Sequence, residues 1–279
     1  MPPMRPKPAG KPLSGENPLH VSQHCRVLAV VNQKGGVGKT TTAVNLSAGL
    51  ATTGDTVLLI DADPQVNATS GLGVAEREYT LFDLFQEEAT PEQVITETGR
   101  PNLWLIPASI DLAGIDVLFA SRIARETILK QILQPLRERF QWIIVDTPPS
   151  LGLLTINALT AADGLIIPLQ CEYYALEGLT QLMRTIELVR QHLNPNLTIW
   201  KVLLTMYDTR TRLAEQVESE VRKFFGTKVA QTVIPRNVRI GESPSFGQPV
   251  IEYDPRSRGA HAYLEFVKEV REYGASRSG

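Results

Sequence analysis

The chain has 279 residues, of which 43% are hydrophobic and 21% charged, with a formal net charge of −2. This length suits one large α/β domain or two small ones, and the charge argues against a protein that holds nucleic acid by overall charge alone. Its longest apolar runs, such as VLLI and WIIV, are too short for a transmembrane helix of about 18 residues. The first residues lack the apolar segment of a signal peptide, so we expect a cytoplasmic protein.

Charge is distributed unevenly along the chain. Residues 200–279 carry 13 Lys or Arg and 10 Asp or Glu, whereas residues 1–199 carry 15 and 20. Such asymmetry is compatible with a basic face on an otherwise acidic protein. The two cysteines, Cys25 and Cys171, have no metal-binding spacing, and we expect them to be free thiols.

The first 24 residues differ in composition from the rest. The stretch MPPMRPKPAGKPLSGENPLH contains six prolines and has no apolar periodicity. We therefore predict a disordered tail over residues 1–24. A single domain is predicted over residues 25–274, followed by a flexible C-terminus over 275–279.

The domain begins with a strand, a loop, a helix and a second strand. RVLAVVN is a short apolar run that ends in a glycine-rich loop, TTTAVNLSAGLATTG has helical spacing with Gly54 as a stop, and TVLLID is the next apolar run. This order within about 35 residues predicts a βαβ unit.

The same alternation continues to the end of the chain. Further strands are predicted at LWLIPA, QWIIVDTPPS, GLIIPLQ, LTIWKVLLTMYD and VAQTVIP, and helices at RETILKQILQPLRERF, EGLTQLMRTIELVRQHL, LAEQVESEVRKFFG and from about Ala260. Continuous runs of Val, Ile and Leu indicate strands buried on both faces. The predicted fold is a single-domain α/β P-loop NTPase fold, with a mostly parallel, twisted sheet and helices on both faces.

The loop NQKGGVGKTTT at residues 32–42 has the chemistry of a phosphate cradle. Backbone N–H groups at a helix N-terminus bind phosphate, and glycines let the backbone approach closely. In such a loop Lys39 reaches the β- and γ-phosphates and the Thr40 hydroxyl binds Mg²⁺. The usual pattern has glycine six places before the lysine, but here Gln33 holds that place and Lys34 follows it. The predicted nucleotide-binding segment comprises Lys34, Gly35, Gly36, Val37, Gly38, Lys39, Thr40 and Thr41.

Three acidic residues follow predicted strands. Asp61 and Asp63 follow VLLI, and Asp146 follows WIIV. Because ligands bind at the carboxyl ends of parallel strands, these side chains should lie near the loop. Asp146 is the best candidate for the carboxylate that faces Mg²⁺, since four apolar residues precede it directly.

These motifs resemble a known family. KGGVGKTTT, DADPQ and VDTPPS resemble the deviant P-loop ATPases, a group that includes ParA, the cell-division ATPase MinD and the nitrogenase iron protein. QCEYYALEGL, TMYD, VIPRNVR and PRSRGAHAY resemble the chromosomal ParA proteins, also called Soj. The resemblance covers nearly everything after residue 25.

The resemblance implies roles for particular residues. Lys34 would reach across a dimer interface to the ATP of the other subunit, so that ATP becomes part of the interface. Asp63 would place the attacking water, and Asp146 would sense the γ-phosphate through Mg²⁺. Asp61 would support the metal shell. The segment that holds adenine would include Pro235 and Asn237.

DNA is the partner that the remaining features favour. The C-terminal sequence KEVREYGASRSG continues no apolar face, which makes stable membrane association unexpected. An iron–sulfur cluster shared by two subunits needs four cysteines. Cys171 is the one candidate per chain, and two such residues cannot complete the cluster. Basic residues of the C-terminal third can bind phosphates without reading sequence, and the resemblance supports Arg210 and Arg239 in particular. The candidates are Arg210, Arg212, Arg222, Lys223, Lys228, Arg236 and Arg239.

The predicted function is that of a DNA-partitioning ATPase for a chromosome or a plasmid. It would form an ATP-dependent homodimer, bind double-stranded DNA nonspecifically, localise to the nucleoid, and be released when a ParB (Spo0J)-type centromere-binding protein stimulates slow hydrolysis. Two alternatives stay open, a membrane-associated positioning ATPase of the MinD kind and a regulator that binds ATP without hydrolysing it.

Overall fold

The structure is a computed structural model that describes residues 25–75, 77–172 and 177–276, with the backbone alone for Glu177 and Gly178. The predicted N-terminal tail and residues 277–279 lie outside the described residues. The assignment of domain boundaries therefore stays a prediction at both ends.

Eight strands form one sheet across the described residues. Its spatial order is β3-β4-β2-β5-β1-β6-β7-β8, and all neighbouring strands are parallel except the antiparallel pair β3 and β4. The strands are β1 Arg26–Val30, β2 Val57–Asp61, β3 Thr96–Glu97, β4 Leu103–Ile106, β5 Trp142–Asp146, β6 Gly164–Gln170, β7 Thr198–Tyr207 and β8 Val229–Pro235.

The α-helices of the described residues connect these strands or follow the last of them. They are α1 Lys39–Thr52, α2 Asn67–Gly71, α3 Leu81–Gln86, α4 Pro91–Val94, α5 Ile115–Leu118, α6 Ile128–Leu136, α7 Leu153–Ala161, α8 Glu177–His192, α9 Arg212–Phe225, α10 Val238–Glu242, α11 Val250–Tyr253 and α12 Arg258–Ser276.

Each central strand is buried on both faces. In β1, Leu28 and Val30 belong to the apolar core that also contains side chains of α1 and α12. Val27 and Ala29 belong to a second core, with side chains of α6, α7 and α8. Side chains alternate between the faces of a strand, so unbroken apolar runs serve two helical layers. The predicted parallel α/β sheet with helices on both faces is confirmed.

Some elements differ in detail from the sequence-based prediction. Helix α6 ends at Leu136, so Pro135 lies in its last turn and does not bend a longer helix. The last helix starts two residues earlier than predicted and continues to Ser276. The sequence did not predict α7, which follows the double proline after β5. Within the described residues, no helix is both long and apolar enough to span a membrane.

Candidate nucleotide-binding site

The acidic residues and the glycine-rich loop of the predicted nucleotide site meet at the carboxyl edge of the sheet. Strands β2, β5 and β1 are neighbours, and Asp146 lies opposite Asp61 on one side and Val30 on the other. The glycine-rich loop follows β1 directly and ends at α1. Two parallel-strand crossovers therefore bring together residues that are more than 100 positions apart in the sequence.

The loop has the backbone geometry that close approach of a phosphate requires. Gly36 and Gly38 have φ angles of 73° and 86°, in the left-handed region that disfavours residues with a side chain. Gly38 is also the N-cap of α1, and Gly35 and Gly36 are exposed. Thr205 of β7 holds the loop in place, because its buried hydroxyl donates a hydrogen bond of 2.9 Å to the Val37 carbonyl.

The two lysines of the loop have different environments. Lys39 is buried, and its Nζ donates a hydrogen bond of 3.1 Å to the Lys34 carbonyl, which places the ammonium inside the loop. Burial lowers its pKa from the ordinary value, while the charges of Asp146 and Asp63 oppose that effect. The Nζ of Lys34 points out of the loop and pairs with Glu172 Oε2 at 2.7 Å, both side chains being partly exposed.

The carboxylate of Asp146 is suited to hold a cation. It is fully buried, and neither oxygen accepts a hydrogen bond of normal geometry. Burial raises its pKa well above the ordinary value, and the charge of Asp61 raises it further, while the nearby Thr40 hydroxyl lowers it. An orphaned buried carboxylate beside Thr40 and Lys39 is a costly arrangement unless a positive ligand completes it.

Asp61 makes hydrogen bonds that Asp146 lacks. Its Oδ2 accepts from the backbone and hydroxyl of Thr69, at 2.8 and 2.7 Å, and its Oδ1 accepts from the Asp63 backbone at 3.2 Å. Burial raises its pKa to about 6 in spite of these bonds. In this structure Asp61 thus holds the turn that carries Asp63 and α2, and its support of a metal shell stays a prediction.

Asp63 lies at the start of this turn, next to the loop. Its side chain is buried, and one carboxylate oxygen accepts a hydrogen bond of 3.0 Å from the Gln65 backbone. Its charge acts on Lys39, Asp61 and Asp146. A carboxylate at this edge has the proximity that a water-positioning residue needs, although the role itself stays a prediction.

The predicted adenine segment lies at the end of β8. Both Pro235 and Asn237 are half-buried, and Asn237 Oδ1 caps α10 by accepting a hydrogen bond of 2.8 Å from the Arg239 backbone. A separate cavity of about 390 Å³ borders Thr40 and Thr41, and hydroxyl and amide side chains dominate its wall. Neither Pro235 nor Asn237 is among the described residues that line this cavity, so their contact with adenine stays a prediction.

The predicted DNA-binding residues fall into two groups. Arg210, Arg212, Arg236 and Arg239 lie just beyond the ends of β7 and β8, at the same edge of the sheet as the loop. The other group, Arg222, Lys223 and Lys228, lies in the last turn of α9 and beyond. Ten residues of helix separate Arg212 from Arg222, which is a distance of about 15 Å.

Several of these arginines have acidic neighbours. Arg210 pairs with Asp208 at 2.7 Å, Arg222 with Glu218 at 2.8 Å, and Arg239 with Glu242 at 2.8 Å. DNA phosphates would have to compete with these carboxylates. Exposed ion pairs are weak, so such competition costs little.

The structure also indicates residues that the sequence did not single out. Arg256 and Arg258 are exposed and have no ion pair among the described residues. They lie close to the Arg239 group, because Arg239 also contacts Asp254 at 3.3 Å. The signal in the sequence is the PRSRG segment, which contains both arginines. Glu172 and Thr205 could not be found from the sequence because their partners, Lys34 and Val37, are 138 and 168 positions away. Thr69 is only eight positions from its partner Asp61, but no local pattern singles out its hydroxyl.

The sheet order, the helix-capping glycine loop and the buried lysine define a P-loop nucleotide-binding protein. Residues 25–199 match the family described as AAA domain. The chain is 55% identical over 251 residues to the sporulation initiation inhibitor protein Soj of Bacillus subtilis, covering 89% of this chain and 99% of Soj. It is 52% identical over 249 residues to the chromosome partitioning protein ParA of Caulobacter vibrioides, covering 88% and 93%.

A solved structure supports the same fold. Cobyrinic acid a,c-diamide synthase from Mycobacterium smegmatis, with bound ADP and magnesium, matches with a TM-score of 0.78 and 39% identity, covering 88% of this chain and 93% of that one. Identity to the partitioning proteins is higher over a similar share of the chain. The chain belongs to the Soj/ParA family of chromosome-partitioning ATPases.

Proposed function

We propose that this protein is a DNA-partitioning ATPase that moves a chromosome or a plasmid. The observation that carries the proposal is the buried Asp146 carboxylate, which has no hydrogen bond and lies beside Thr40 and Lys39 at the glycine-rich loop. Mg²⁺ with a nucleoside triphosphate is the ligand that would compensate this charge. The solved relative with bound ADP and magnesium has the same fold, and we assign ATP and Mg²⁺ to this chain.

The residues present fit a magnesium ion that is held mainly by the nucleotide. Thr40 and Asp146 would hold it, and no group of three or more His, Cys, Asp or Glu among the described residues could form a metal site of its own. Mg²⁺ usually has one or two carboxylate ligands together with substrate phosphates. When bound, it would neutralise charge on the phosphate oxygens.

Three side chains of the protein would each have a separate role in hydrolysis. Lys39 binds the phosphates from within the loop, and Asp63 positions the attacking water. Lys34 adds a second cation, from the opposite subunit, to the charge that develops on the transferred phosphoryl group. Hydrolysis therefore requires two subunits, and ATP stabilises the homodimer until it is cleaved.

Dimerisation would also control DNA binding. Each subunit contributes the same basic residues, so the dimer doubles the number of phosphate contacts. Affinity for DNA rises steeply with that number, and phosphate contacts are independent of sequence. We propose that the dimer binds nucleoid DNA in the cytoplasm, and that a ParB-type protein at a centromere-like site stimulates slow hydrolysis and releases it.

The decisive experiment measures retention of the chain on two unrelated DNA duplexes in ATP, in ADP and without nucleotide. Retention should require ATP and should be similar on both duplexes. Asp63→Ala should bind ATP, hydrolyse it poorly and remain a dimer on DNA, because both lysines and Asp146 are unchanged. Equal retention in ATP and ADP would contradict the proposed switch.

Two further measurements distinguish the alternatives. Co-sedimentation with liposomes in ATP would support a membrane-associated positioning ATPase. Phosphate release that stays absent with DNA and a ParB-type protein present would support a regulator that binds ATP without hydrolysing it.

A further inference from the structure

An exposed apolar patch lies outside the residues that the proposed function uses. It consists of Ile110, Val117, Leu118 and Ile123, whose exposed fractions are 75%, 81%, 58% and 93%. All four lie between β4 and α6, in a short segment that includes α5. A single exposed aliphatic side chain is ordinary, whereas several in one segment make that segment a candidate interaction surface.

The segment that carries the patch is fastened to both loops that flank the candidate site. At its start, the Ala108 backbone donates a hydrogen bond of 3.2 Å to the Thr69 hydroxyl, which in turn binds Asp61. Further along, Asp116 Oδ1 accepts a hydrogen bond of 2.9 Å from the Leu153 backbone, just after the loop that follows Asp146. A displacement of either loop would therefore displace the segment that carries the patch.

The patch also lies at the same edge of the sheet as the nucleotide loop. Its segment follows the carboxyl end of β4, and in the order β4-β2-β5-β1 the strands β2 and β5 lie between that end and β1, the strand that precedes Lys34. A second subunit whose Lys34 reaches the bound ATP must cover this edge. A stable interface buries about 1,200–2,000 Å² in total, which is more than one short loop provides.

The charges around the patch do not suit DNA. The two cations of the segment are already paired, Arg122 with Glu87 and Arg125 with Glu126. Asp111 and Asp116 add negative charge beside the aliphatic side chains. An apolar protein surface is the complement that this arrangement fits.

We propose that the patch formed by Ile110, Val117, Leu118 and Ile123 is buried against a second copy of this chain in the ATP-bound dimer. The inference rests on the proposed function, which supplies the dimer. Because a two-fold dimer uses the same surface on both subunits, the patch contributes twice. The patch is attached to the loops after β2 and β5, so bound nucleotide would set its position. It would add an apolar contact to the dimer interface, which Lys34 alone does not provide.

The test replaces two patch residues by aspartate, in the variant Val117→Asp/Ile123→Asp. Dimerisation is measured by sedimentation in a non-hydrolysable ATP analogue with Mg²⁺, next to wild type and Leu188→Asp. Leu188 is a half-exposed aliphatic residue in the C-terminal half of α8, remote from the carboxyl edge. Loss of an interface anchor commonly costs about tenfold in affinity or more, so two per subunit should weaken the dimer at least about a hundredfold. Leu188→Asp should dimerise like wild type, and the affinity of the monomer for the analogue should be the same in all three chains.

Each other outcome overturns the proposal in an identifiable way. A double variant that dimerises normally removes the patch from the interface, and if it has also lost stimulation by a ParB-type protein, the patch serves that protein. A lower unfolding temperature of the nucleotide-free double variant would mean that these side chains already pack within the monomer. A wild-type chain that stays monomeric in the analogue overturns the proposed ATP dimer and this inference with it, whereas a dimeric wild type isolates the failure to the patch.

Discussion

The buried carboxylate of Asp146 should destabilise the nucleotide-free chain, and Asp146→Asn should therefore stabilise that state. Both oxygens are buried without a hydrogen bond, and burial and the charge of Asp61 raise the pKa. The folded chain thus holds this proton more tightly than the unfolded chain does. The carboxyl group favours folding at low pH, and this contribution is lost as the pH rises through the raised pKa.

The neighbouring Asp61 indicates how large the free-energy cost of a buried, ionised carboxylate is at this edge. Its pKa is raised from 3.8 to about 6 although Thr69 donates two hydrogen bonds to it. A shift of about two units corresponds to about 3 kcal/mol. Asp146 has no hydrogen bonds of this kind and its pKa is raised well above the ordinary value, so its ionised form should also be destabilising. Asparagine leaves a buried amide without partners, at about 1–3 kcal/mol, and the net gain should be about 1 kcal/mol at neutral pH.

Urea unfolding of wild type and Asp146→Asn in EDTA, without nucleotide, measures this difference. The advantage of the variant should grow as the pH rises from the ordinary pKa of a carboxyl group, about 4, towards the raised pKa of Asp146, with a slope of up to about 1.4 kcal/mol per pH unit for each proton involved. With ATP and Mg²⁺ the order should reverse, because the variant has lost the carboxylate that holds the metal. A variant less stable than wild type at the upper end of this range, or a difference that does not change with pH, would refute an uncompensated buried charge.

The remaining predictions concern the second lysine and the DNA surface. Lys34→Gln should keep ATP binding through Lys39 but lose hydrolysis and the ATP dimer, and a normal dimer in sedimentation would contradict its role across the interface. Glu172→Gln frees Lys34 from its 2.7 Å ion pair and should strengthen the dimer by no more than about fivefold per subunit, since exposed pairs contribute at most about 1 kcal/mol. Arg239→Ala should reduce the slope of DNA affinity against salt by about 2, because a dimer loses two contacts of about 0.9 each. An unchanged slope on two unrelated duplexes would remove Arg239 from the DNA surface.

The sequence predicted the parts of the fold that depend on local pattern. Apolar runs predicted the long strands, and the glycine-rich segment predicted the loop between β1 and α1, because both signals lie within a few residues. Helix α7 could not be predicted, because its residues carry no local signal of this kind. Eight of its nine residues are buried, so the segment has no polar face and no helical alternation to detect.

Contacts between distant residues could not be predicted from pattern. The pairing of Asp61 with Asp146 depends on β2 and β5 being neighbours, which follows from the path of the chain. The ion pair of Lys34 with Glu172 likewise joins residues that are 138 positions apart. The acids and lysines could be named from the sequence, whereas the hydrogen bonds that distinguish Asp61 from Asp146 required the structure.

The arrangement around α10 joins the nucleotide prediction to the DNA prediction. Asn237 is the predicted adenine contact, and its side chain caps the helix by accepting a hydrogen bond of 2.8 Å from the Arg239 backbone. The side chain of Arg239 is held in turn by Glu242 and Asp254, at 2.8 and 3.3 Å. If adenine forms a hydrogen bond with the Asn237 side chain, the helix cap would change. The orientation of Arg239, which lies in the same turn, would change with it. Nucleotide would then act on DNA binding in two ways, by doubling the surface through dimerisation and by orienting an arginine within each subunit.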